Sequence, residues 1–232
     1  MLELQNINFS AGGKHILKDI SYTLEPGKFV AIPGPKRSGK SSRAKIIMGI
    51  DKPDSGKILF EGKDITDMPI DERARAGIAF AFQQPVRFKG VTVHDLLNIY
   101  SKSKLSFNEV CDTLANVGLC ANGYVDREVS GDLSGGELKR IEIASVLLRR
   151  AKLTIFDEPE AGIDLWSFNN LISVFNQMQQ DMSGSIDVIS HQERILRIAD
   201  EVILLTDGHI ERIVPKGEPL EKLLTLQACR KL

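Results

Sequence analysis

A short segment, residues 34–41, carries the residue types that bind phosphate. It reads GPKRSGKS, which fits the pattern G-x-x-x-x-G-K-[ST], and it lies between an apolar run and a stretch of helical character. In that setting successive backbone N–H groups wrap phosphate oxygens, and the start of a helix adds positive potential. We therefore expect a nucleoside triphosphate to bind here. The expected ligands are Gly34, Pro35, Lys36, Arg37, Ser38, Gly39, Lys40, Ser41 and Ser42.

Side chains at the end of another apolar run supply a carboxylate pair. Asp157 and Glu158 follow the run 153–156, and carboxylates at a strand's carboxyl end lie beside the phosphate loop in an open α/β sheet. We expect Ser41 and Asp157 to hold Mg²⁺, the latter directly or through water, while Lys40 reaches the β and γ phosphates. Glu158 is the expected general base that polarises the attacking water.

Two further polar residues stand at the ends of apolar runs. Gln83 follows the run 79–82, and His191 follows the run 186–189 with a serine between. A neutral amide at a strand end can touch both Mg²⁺ and the attacking water, so Gln83 is a candidate catalytic residue and metal ligand. His191, after the last core strand, is the candidate sensor of the γ-phosphate.

The phosphate loop also departs from expectation. Lys36 and Arg37 stand where a small, turn-forming pair such as Asn-Gly is expected, and a side chain at a position with φ > 0 costs about 1 kcal/mol. Arg43 falls in the first turn of the following helix, at a position that ordinarily faces the core, where an unpaired charge is costly. Two readings stay open: an intact loop with tolerated substitutions, or a damaged nucleotide site. We expect Asn-Gly at 36 and 37, with leucine at 43, to raise stability and nucleotide affinity.

Composition and charge argue against several classes of protein. The 232 residues carry 30 basic and 31 acidic side chains, a net charge of -1, which gives no reason to expect nucleic acid as a partner. No stretch approaches the roughly 18 apolar residues that cross a bilayer, and the N-terminus lacks the regions of a signal peptide. We therefore expect a cytoplasmic protein without direct membrane insertion. Cys111, Cys120 and Cys229 lack metal-ligand spacing and are expected to be plain thiols, with a ligand or sulfur-handling role for Cys111 or Cys229 as the alternative.

Apolar runs alternate with helical stretches along the chain. The expected strands cover 16–24, 29–32, 58–63, 79–82, 153–156, 186–189 and 202–205. Helices are expected at 41–50, across 93–119, and in the tail at 218–232. This alternation indicates an α/β fold with a mostly parallel sheet covered on both faces, and the helical middle is expected to form a lobe inserted into it.

The segment LSGGE, residues 133–137, decides between phosphate-loop families. Together with the residues above it resembles the signature motif of the ATP-binding-cassette (ABC) ATPases, and the resemblance covers essentially the whole chain. It implies a P-loop NTPase fold: a mostly parallel core sheet, an antiparallel N-terminal β part and an inserted helical lobe. It also implies a single domain over residues 1–232, with a RecA-like core at 1–84 and 150–232 and a helical signature lobe at about 85–149.

The resemblance implies a mechanism as well. Two copies meet head to tail, with ATP between the phosphate loop of one and the signature segment of the other, and Mg²⁺-dependent hydrolysis lets the dimer open. Ser134, Gly135 and Gly136, at a helix start, are implied to contact the γ-phosphate of the opposite subunit. The resemblance also implies that Asp164, in the loop after the carboxylate pair, is a cofactor-binding residue. Activity is expected to fall if the basic residues distort the phosphate loop.

Within the family, Glu160 and residues 192–194 resemble the SufC-type ATPase of iron–sulfur cluster assembly, because most relatives have serine or threonine where Glu160 stands. That likeness implies scaffold proteins of SufB and SufD type as partners, docked at residues 85–90 around an exposed Phe88. The alternatives are the ATPase subunit of an ABC membrane transporter and a nucleotide-binding module with impaired hydrolysis.

Recognition of the base is weakly specified. Transporters of the resembled family usually place an aromatic residue near position 11 to stack on adenine, and Ala11 stands there instead. Phe9 either takes that role or points into the core by strand alternation. GTP therefore stays an alternative to ATP.

Overall fold

The computed structural model describes residues 1–101, 103–180 and 184–218. Its strands are β1 (Leu2–Ala11), β2 (Lys14–Leu24), β3 (Phe29–Ile32), β4 (Ser55–Phe60), β5 (Lys63–Asp64), β6 (Ile78–Ala81), β7 (Leu153–Asp157), β8 (Ser185–Ile189), β9 (Glu201–Thr206) and β10 (His209–Pro215). Its helices are α1 (Lys40–Met48), α2 (Ile70–Ala76), α3 (Val93–Tyr100), α4 (Phe107–Asn116), α5 (Ala121–Tyr124), α6 (Gly135–Arg149), α7 (Leu165–Gln180) and α8 (Glu193–Ile198). Nearly all of the predicted tail helix, and Cys229, fall on residues 219–232, outside the described ranges.

A six-stranded sheet contains the strands predicted for the core. Its order is β10-β9-β3-β8-β7-β6, and all of its pairs are parallel except the one between β9 and β10. Every residue of β3, β7 and β8 is buried, as is typical of parallel strands covered on both faces. The predicted α/β fold with a mostly parallel core sheet is confirmed.

A second, antiparallel sheet lies at the N-terminal end of the chain. Its order is β2-β1-β4-β5, and the register pairs Leu2 with both Leu24 and Phe60. These side chains belong to a hydrophobic cluster that also takes in Val30 and Ile155 of the core sheet. The antiparallel N-terminal part that the family resemblance implies is therefore confirmed.

The last described strand departs from the expectation that a helix follows every strand. β9 and β10 form an antiparallel hairpin joined by Asp207 and Gly208, both with positive φ. An Asp-Gly pair with two positive φ angles is typical of the tight turn that matches strand twist. Most of β10 is solvent-exposed, so it lacks the apolar run by which the other strands were predicted.

The helical pattern predicted across 93–119 is resolved into α3 and α4. Both begin with a capping box, formed by Thr92 with Asp95 and by Ser106 with Glu109, which satisfies N–H groups that a helix start leaves open. Of the helices in the described ranges, none has the length and apolar character needed to cross a membrane. The division of the chain into a core and a signature lobe stays a prediction.

Helix α7 is anchored to the core sheet by one aromatic side chain. Phe175 is fully buried and packs edge-to-face on Phe29 of β3 and on Phe156 of β7, with ring centroids 5.5 and 5.1 Å apart. Such aromatic pairs add specific geometry to the burial of a large apolar surface. Phe175 therefore ties the helix to the two strands that carry the phosphate loop and the carboxylate pair.

We expect Phe175→Ala to lower the free energy of unfolding by about 3–5 kcal/mol, because it opens a cavity among closely packed rings. Urea denaturation followed by circular dichroism measures the change. Phe107→Ala is the matched control, since that ring is 56% exposed, and its effect should stay within about 0.5 kcal/mol. An equal loss in the two variants would contradict the role given to Phe175.

Candidate functional site

The segment 34–41 connects the buried strand β3 to helix α1, as predicted. Gly34 has φ +155, and a Cβ atom there would lie 2.6 Å from the carbonyl oxygen of Leu205 on β9. Only glycine allows so close an approach. The loop is therefore pressed against the neighbouring strand of the core sheet, and Gly39 leads directly into α1.

Lys40 occupies the inside of this loop. Its side chain is buried, and Nζ donates to the carbonyl oxygens of Gly34 and Pro35, both at 2.7 Å, and to the hydroxyl of Ser38 at 3.2 Å. Burial lowers the pKa of Lys40, and the nearby carboxylates of the β7 end oppose that effect. Three acceptors thus hold the cation at the position from which it was predicted to reach phosphate.

The two predicted metal ligands of the loop and of β7 are in contact. The Ser41 hydroxyl donates to Oδ1 of Asp157 at 3.2 Å. Asp157 is only 4% exposed, and this burial raises the pKa of its carboxyl, an effect that the Ser41 hydrogen bond opposes. A hydroxyl next to a carboxylate offers the hard oxygen donors that Mg²⁺ prefers when phosphates and waters complete its shell. The residues therefore fit Mg²⁺.

The predicted general base touches the predicted amide sensor. Nε2 of Gln83 donates to Oε2 of Glu158 at 2.6 Å. Glu158 has φ 46, and its N–H donates to the carbonyl of Ile189 at 3.0 Å. A non-glycine residue in the left-handed region is strained and marks a position that the surroundings hold fixed. The ends of β6, β7 and β8 thus fix the Gln83 and Glu158 pair.

An open cleft over the loop joins these groups to residues without a motif. Its lining is Lys14, His15, Ile16, Lys18, Lys36, Arg37, Ser38, Gly39, Lys40, Ser41, Ser42, Gln83, Glu158 and Asp207. Lys14, His15, Lys18 and Asp207 were missed, because they lie on hairpins that only the fold brings over the loop. Phe9 is absent from the lining and packs against the hydrophobic cluster of the antiparallel sheet, so the core-facing alternative is the one observed.

The two basic residues in the loop behave differently from Arg43. Lys36 and Arg37 are exposed on the cleft. Arg37 has φ 68, which agrees with the expectation that a side chain replaces a small, turn-forming residue there. The Lys40 ammonium donates to Gly34, Pro35 and Ser38 of the same loop.

The expectation of an unpaired Arg43 is wrong. Arg43 is 2% exposed, and its Nη1 and Nη2 donate to both carboxylate oxygens of Asp187 on β8, at 2.7 and 2.8 Å. It also donates to the Tyr22 hydroxyl and lies over that ring, with 5.6 Å to the centroid. Burial alone would lower the pKa of Arg43, but Asp187 and Tyr22 keep it above its usual value. The charge of Arg43 is thus neutralised by Asp187, a partner that no local sequence pattern predicted.

His191 lies beside a second acidic residue. The buried Ser190 hydroxyl donates to Oε1 of Glu160 at 2.5 Å and accepts from the N–H of Gln192 at 3.0 Å. Burial raises the pKa of Glu160, and the Ser190 hydrogen bond opposes that effect. The turn that carries His191 is therefore fastened to the segment just after Glu158. His191 itself is exposed and is not among the residues that line the cleft.

The signature segment forms the start of α6. Ser134 caps the helix in a capping box with Glu137, whose carboxylate also accepts from the Tyr124 hydroxyl at 2.6 Å. That hydrogen bond and those to Ser134 lower the pKa of Glu137 to about 2. A Cβ atom on Gly136 would lie 2.7 Å from the carbonyl of Gly162, so the helix start packs on the loop after the carboxylate pair.

The signature residues and Asp164 do not contribute to the phosphate cleft. Among the described residues that line it, none comes from Ser134, Gly135, Gly136 or Asp164. Asp164 instead accepts from the main chain and the hydroxyl of Ser167, at 3.0 and 2.7 Å, at the start of α7. The predicted site residues thus separate into one cluster around the loop and another at the start of α6.

A family model described as ABC transporter matches residues 17–161. This chain belongs to the ABC transporter family. An uncharacterized ABC transporter ATP-binding protein of Methanocaldococcus jannaschii is 39% identical to the cassette over 229 residues, which cover 95% of this chain and 90% of that protein.

Other relatives agree on the family and on the fold. The spermidine/putrescine import ATP-binding protein PotA of Mesoplasma florum is 33% identical over 219 residues, covering 92% of the cassette, which spans 61% of that protein. The dimeric ATP-binding cassette MJ0796, in a post-hydrolysis state bound to ADP and Pi, superposes with a TM-score of 0.82 at 24% identity, over 93% of this chain and 98% of the other. That last likeness shows the fold alone.

The comparisons make the cassette a member of an ATP-binding and ATP-hydrolysing family. The relatives carry transporter names, so they favour the transporter alternative over the SufC-type interpretation. The P-loop NTPase fold predicted from the signature motif is confirmed.

We expect Arg43→Leu to destabilise the cassette by about 3–5 kcal/mol, because it leaves the Asp187 carboxylate buried without its cationic partner. This reverses the expectation that leucine at 43 raises stability. Chemical denaturation of Arg43→Leu, Asp187→Val and the double variant measures the coupling between the two charges.

The double variant is expected to recover most of the loss, since apolar residues often replace a buried ion pair without cost. If Arg43→Leu is as stable as the parent, or if the two single losses simply add, the ion pair does not act as described.

Proposed function

We propose that the cassette is the Mg²⁺-dependent ATP-hydrolysing subunit of an ABC transporter and works on the cytoplasmic side. The observation that carries this is the convergence of the Ser41–Asp157 and Gln83–Glu158 contacts beside the phosphate loop. A metal position and a polarised carboxylate then lie next to the place where the γ-phosphate would bind. The cassette's own clusters thus supply the groups for hydrolysis of a phosphoanhydride.

Lys40 and the loop bind the triphosphate in this proposal. The ammonium exchanges its carbonyl partners for β and γ phosphate oxygens, while the main-chain N–H groups before α1 surround the phosphates. Lys14, Lys18, Lys36 and Arg37 add positive charge to the cleft wall. The lining has no phenylalanine, tyrosine or tryptophan for the base among the described residues, so phosphate recognition dominates and GTP stays an alternative nucleotide.

Glu158 acts as the general base and Gln83 orients it. The carboxylate accepts a proton from the attacking water, and the Gln83 amide holds that carboxylate at hydrogen-bond distance. Ser41, Asp157 and Gln83 would hold Mg²⁺, which neutralises charge on the β and γ phosphates when bound. His191 lies after β8 and would sense the γ-phosphate in this proposal.

The location of the signature segment supports a head-to-tail homodimer. Ser134 and the two glycines after it form the N-terminal end of α6 and do not line their own cleft. Because a helix N-terminus attracts anions, this end suits the γ-phosphate held by a second copy. Asp164, in the loop that Gly136 touches, would lie at the same interface. The related cassette MJ0796 is dimeric in its post-hydrolysis state.

A partner would dock on an apolar groove near the end of β6. Its apolar lining is Phe88, Val91, Leu96, Ile99 and Tyr100. Phe88 is 37% and Ile99 70% exposed, and exposed apolar clusters of this kind mark interaction sites. Residues 85–90 were predicted as the docking segment, and Phe88 is its apolar anchor. A transport protein with an apolar coupling segment is the partner that we propose.

A second candidate function is the ATPase of iron–sulfur cluster assembly, with SufB- and SufD-type scaffolds as partners. The observation that favours it is Glu160, whose hydrogen bond to Ser190 gives the residue a defined place beside His191. Serine or threonine at that position would be too short to make the same contact. The groove around Phe88 would then receive a scaffold protein.

We expect Glu158→Gln to reduce kcat for ATP hydrolysis by about 100-fold or more, because an amide cannot accept the proton from water. Phosphate release measures the rate, and gel filtration with ATP measures the dimer, which the variant should retain. Glu25→Gln, at an exposed carboxylate outside the cleft, is the control with parental activity. If the parent is as inactive as Glu158→Gln, the cassette is a nucleotide-binding module rather than an ATPase.

We expect Phe88→Asp to abolish partner binding while leaving ATP hydrolysis by the isolated cassette unchanged, because it puts a charge on the apolar groove. Affinity purification from cells that express the cassette natively, followed by mass spectrometry, identifies the partner. Recovery of a membrane-embedded transport protein that Phe88→Asp loses supports the first function. Recovery of a soluble scaffold pair, with no membrane protein, rejects it in favour of the second.

A further inference from the structure

Two charged residues of α6, Lys139 and Glu142, bind both main-chain polar groups of one residue, Phe82, just after the end of β6. Glu142 accepts from the N–H of Phe82 through Oε1 at 3.0 Å, and Lys139 donates through Nζ to the carbonyl of the same residue. The pair also joins to itself, with 3.1 Å between Lys139 Nζ and Glu142 Oε2. Both main-chain groups of Phe82 are therefore held by side chains of one helix.

We call Lys139 and Glu142 together the Phe82 clamp. The position of Phe82 in the sheet explains why these two side chains matter. β6 ends at Ala81 and is the outermost strand of the core sheet, paired on one side only with β7. After its last residue the ladder no longer fixes the orientation of the chain. Without Lys139 and Glu142, the N–H and carbonyl of Phe82 would have to find water instead. The two side chains thus replace the strand pairing that is missing at this edge.

Phe82 comes directly before the residue that touches the general base. Gln83 donates to Glu158 at 2.6 Å, so a rotation at Phe82 would move this amide relative to the carboxylate. Misplacement by about 1 Å, even from a change outside the reacting groups, costs up to about 100-fold in rate. The clamp is therefore well placed to control catalysis without touching substrate.

The helix that supplies Lys139 and Glu142 begins with the signature segment. Lys139 lies five residues after Ser134, about 7.5 Å along the helix axis, and helical hydrogen bonds make this distance rigid. A shift of the helix start against a second copy's nucleotide would therefore reach Phe82 through Lys139 and Glu142. Lys139 is fully buried and Glu142 is 15% exposed, so solvent has little access to either side chain.

We propose that Lys139 and Glu142 are a positioning pair that sets the Gln83 amide against Glu158 according to where the signature helix lies. This rests on the proposed function, because it couples the nucleotide of one subunit to the general base of the other. Buried ion pairs are weak evidence of stability, and here both charges are directed to the main chain next to the catalytic amide. The pair links the two clusters into which the site residues separate.

The test uses Lys139→Met/Glu142→Leu in the full cassette, which removes both charges and leaves none unpaired. We expect kcat for ATP hydrolysis to fall about tenfold or more, with KM for ATP within about twofold of the parent. Amide exchange at Phe82 without nucleotide should speed up by about tenfold or more, because its acceptor is gone. If the double variant is insoluble, Glu142→Leu alone removes the acceptor of the Phe82 N–H and carries the same expectations.

Arg73→Met is the matched control, because Arg73 is also a buried cation that donates to main-chain carbonyls, those of Ile46 and Ile47 at 2.7 and 2.8 Å. It should lower stability but keep the parental kcat and the exchange rate of Phe82. A double variant with parental kcat, or with parental exchange at Phe82, would overturn the proposal. A parent without ATPase activity would refute the proposed function, while the exchange experiment would still decide whether the clamp exists.

Discussion

The register of the parallel core sheet is the constraint on which the rest of the site depends. Ile189 of β8 pairs with Ile32 of β3 and with Asp157 of β7, and Ala81 of β6 pairs with Phe156. Hydrogen-bonded ladders thus bring the carboxyl ends of four strands to one level. The residues at and just after those ends form the phosphate loop, the carboxylate pair, the amide and the histidine. A slip of one residue in any pair would turn a functional side chain to the opposite face of the sheet.

Two buried cations are each paired with a carboxylate, one from another element and one from the next turn of the same helix. Arg43 of α1 meets Asp187 of β8, and Lys139 meets Glu142 next to the end of β6. Burial of unpaired charges would cost several kcal/mol each. The pairs therefore fix the positions of α1 and α6 against the sheet. Apolar packing alone would specify those positions less strictly.

The division of the site into two clusters has a physical meaning. In the proposed function the loop cluster supplies the groups for binding and hydrolysis, and the cleft over it is open. The start of α6 presents helix N–H groups and does not line its own cleft. Two copies in head-to-tail contact would bring the two clusters together, so that nucleotide and association depend on each other. Contacts between α6 and the chain around Phe82 give that dependence a route within one subunit.

The sequence by itself determined the strands that are continuous apolar runs, the phosphate loop, and the residues that follow the strand ends. These features depend only on residues that are close together in the sequence. It also predicted a cation buried at Arg43, but only the tertiary structure decided that Asp187, 144 positions away, neutralises it. The same holds for the clamp on Phe82, for the cleft residues Lys14 and His15, and for the exposed strand β10. These features depend on which surfaces meet once the chain is packed, and the periodicity within one segment does not predict contacts between distant segments.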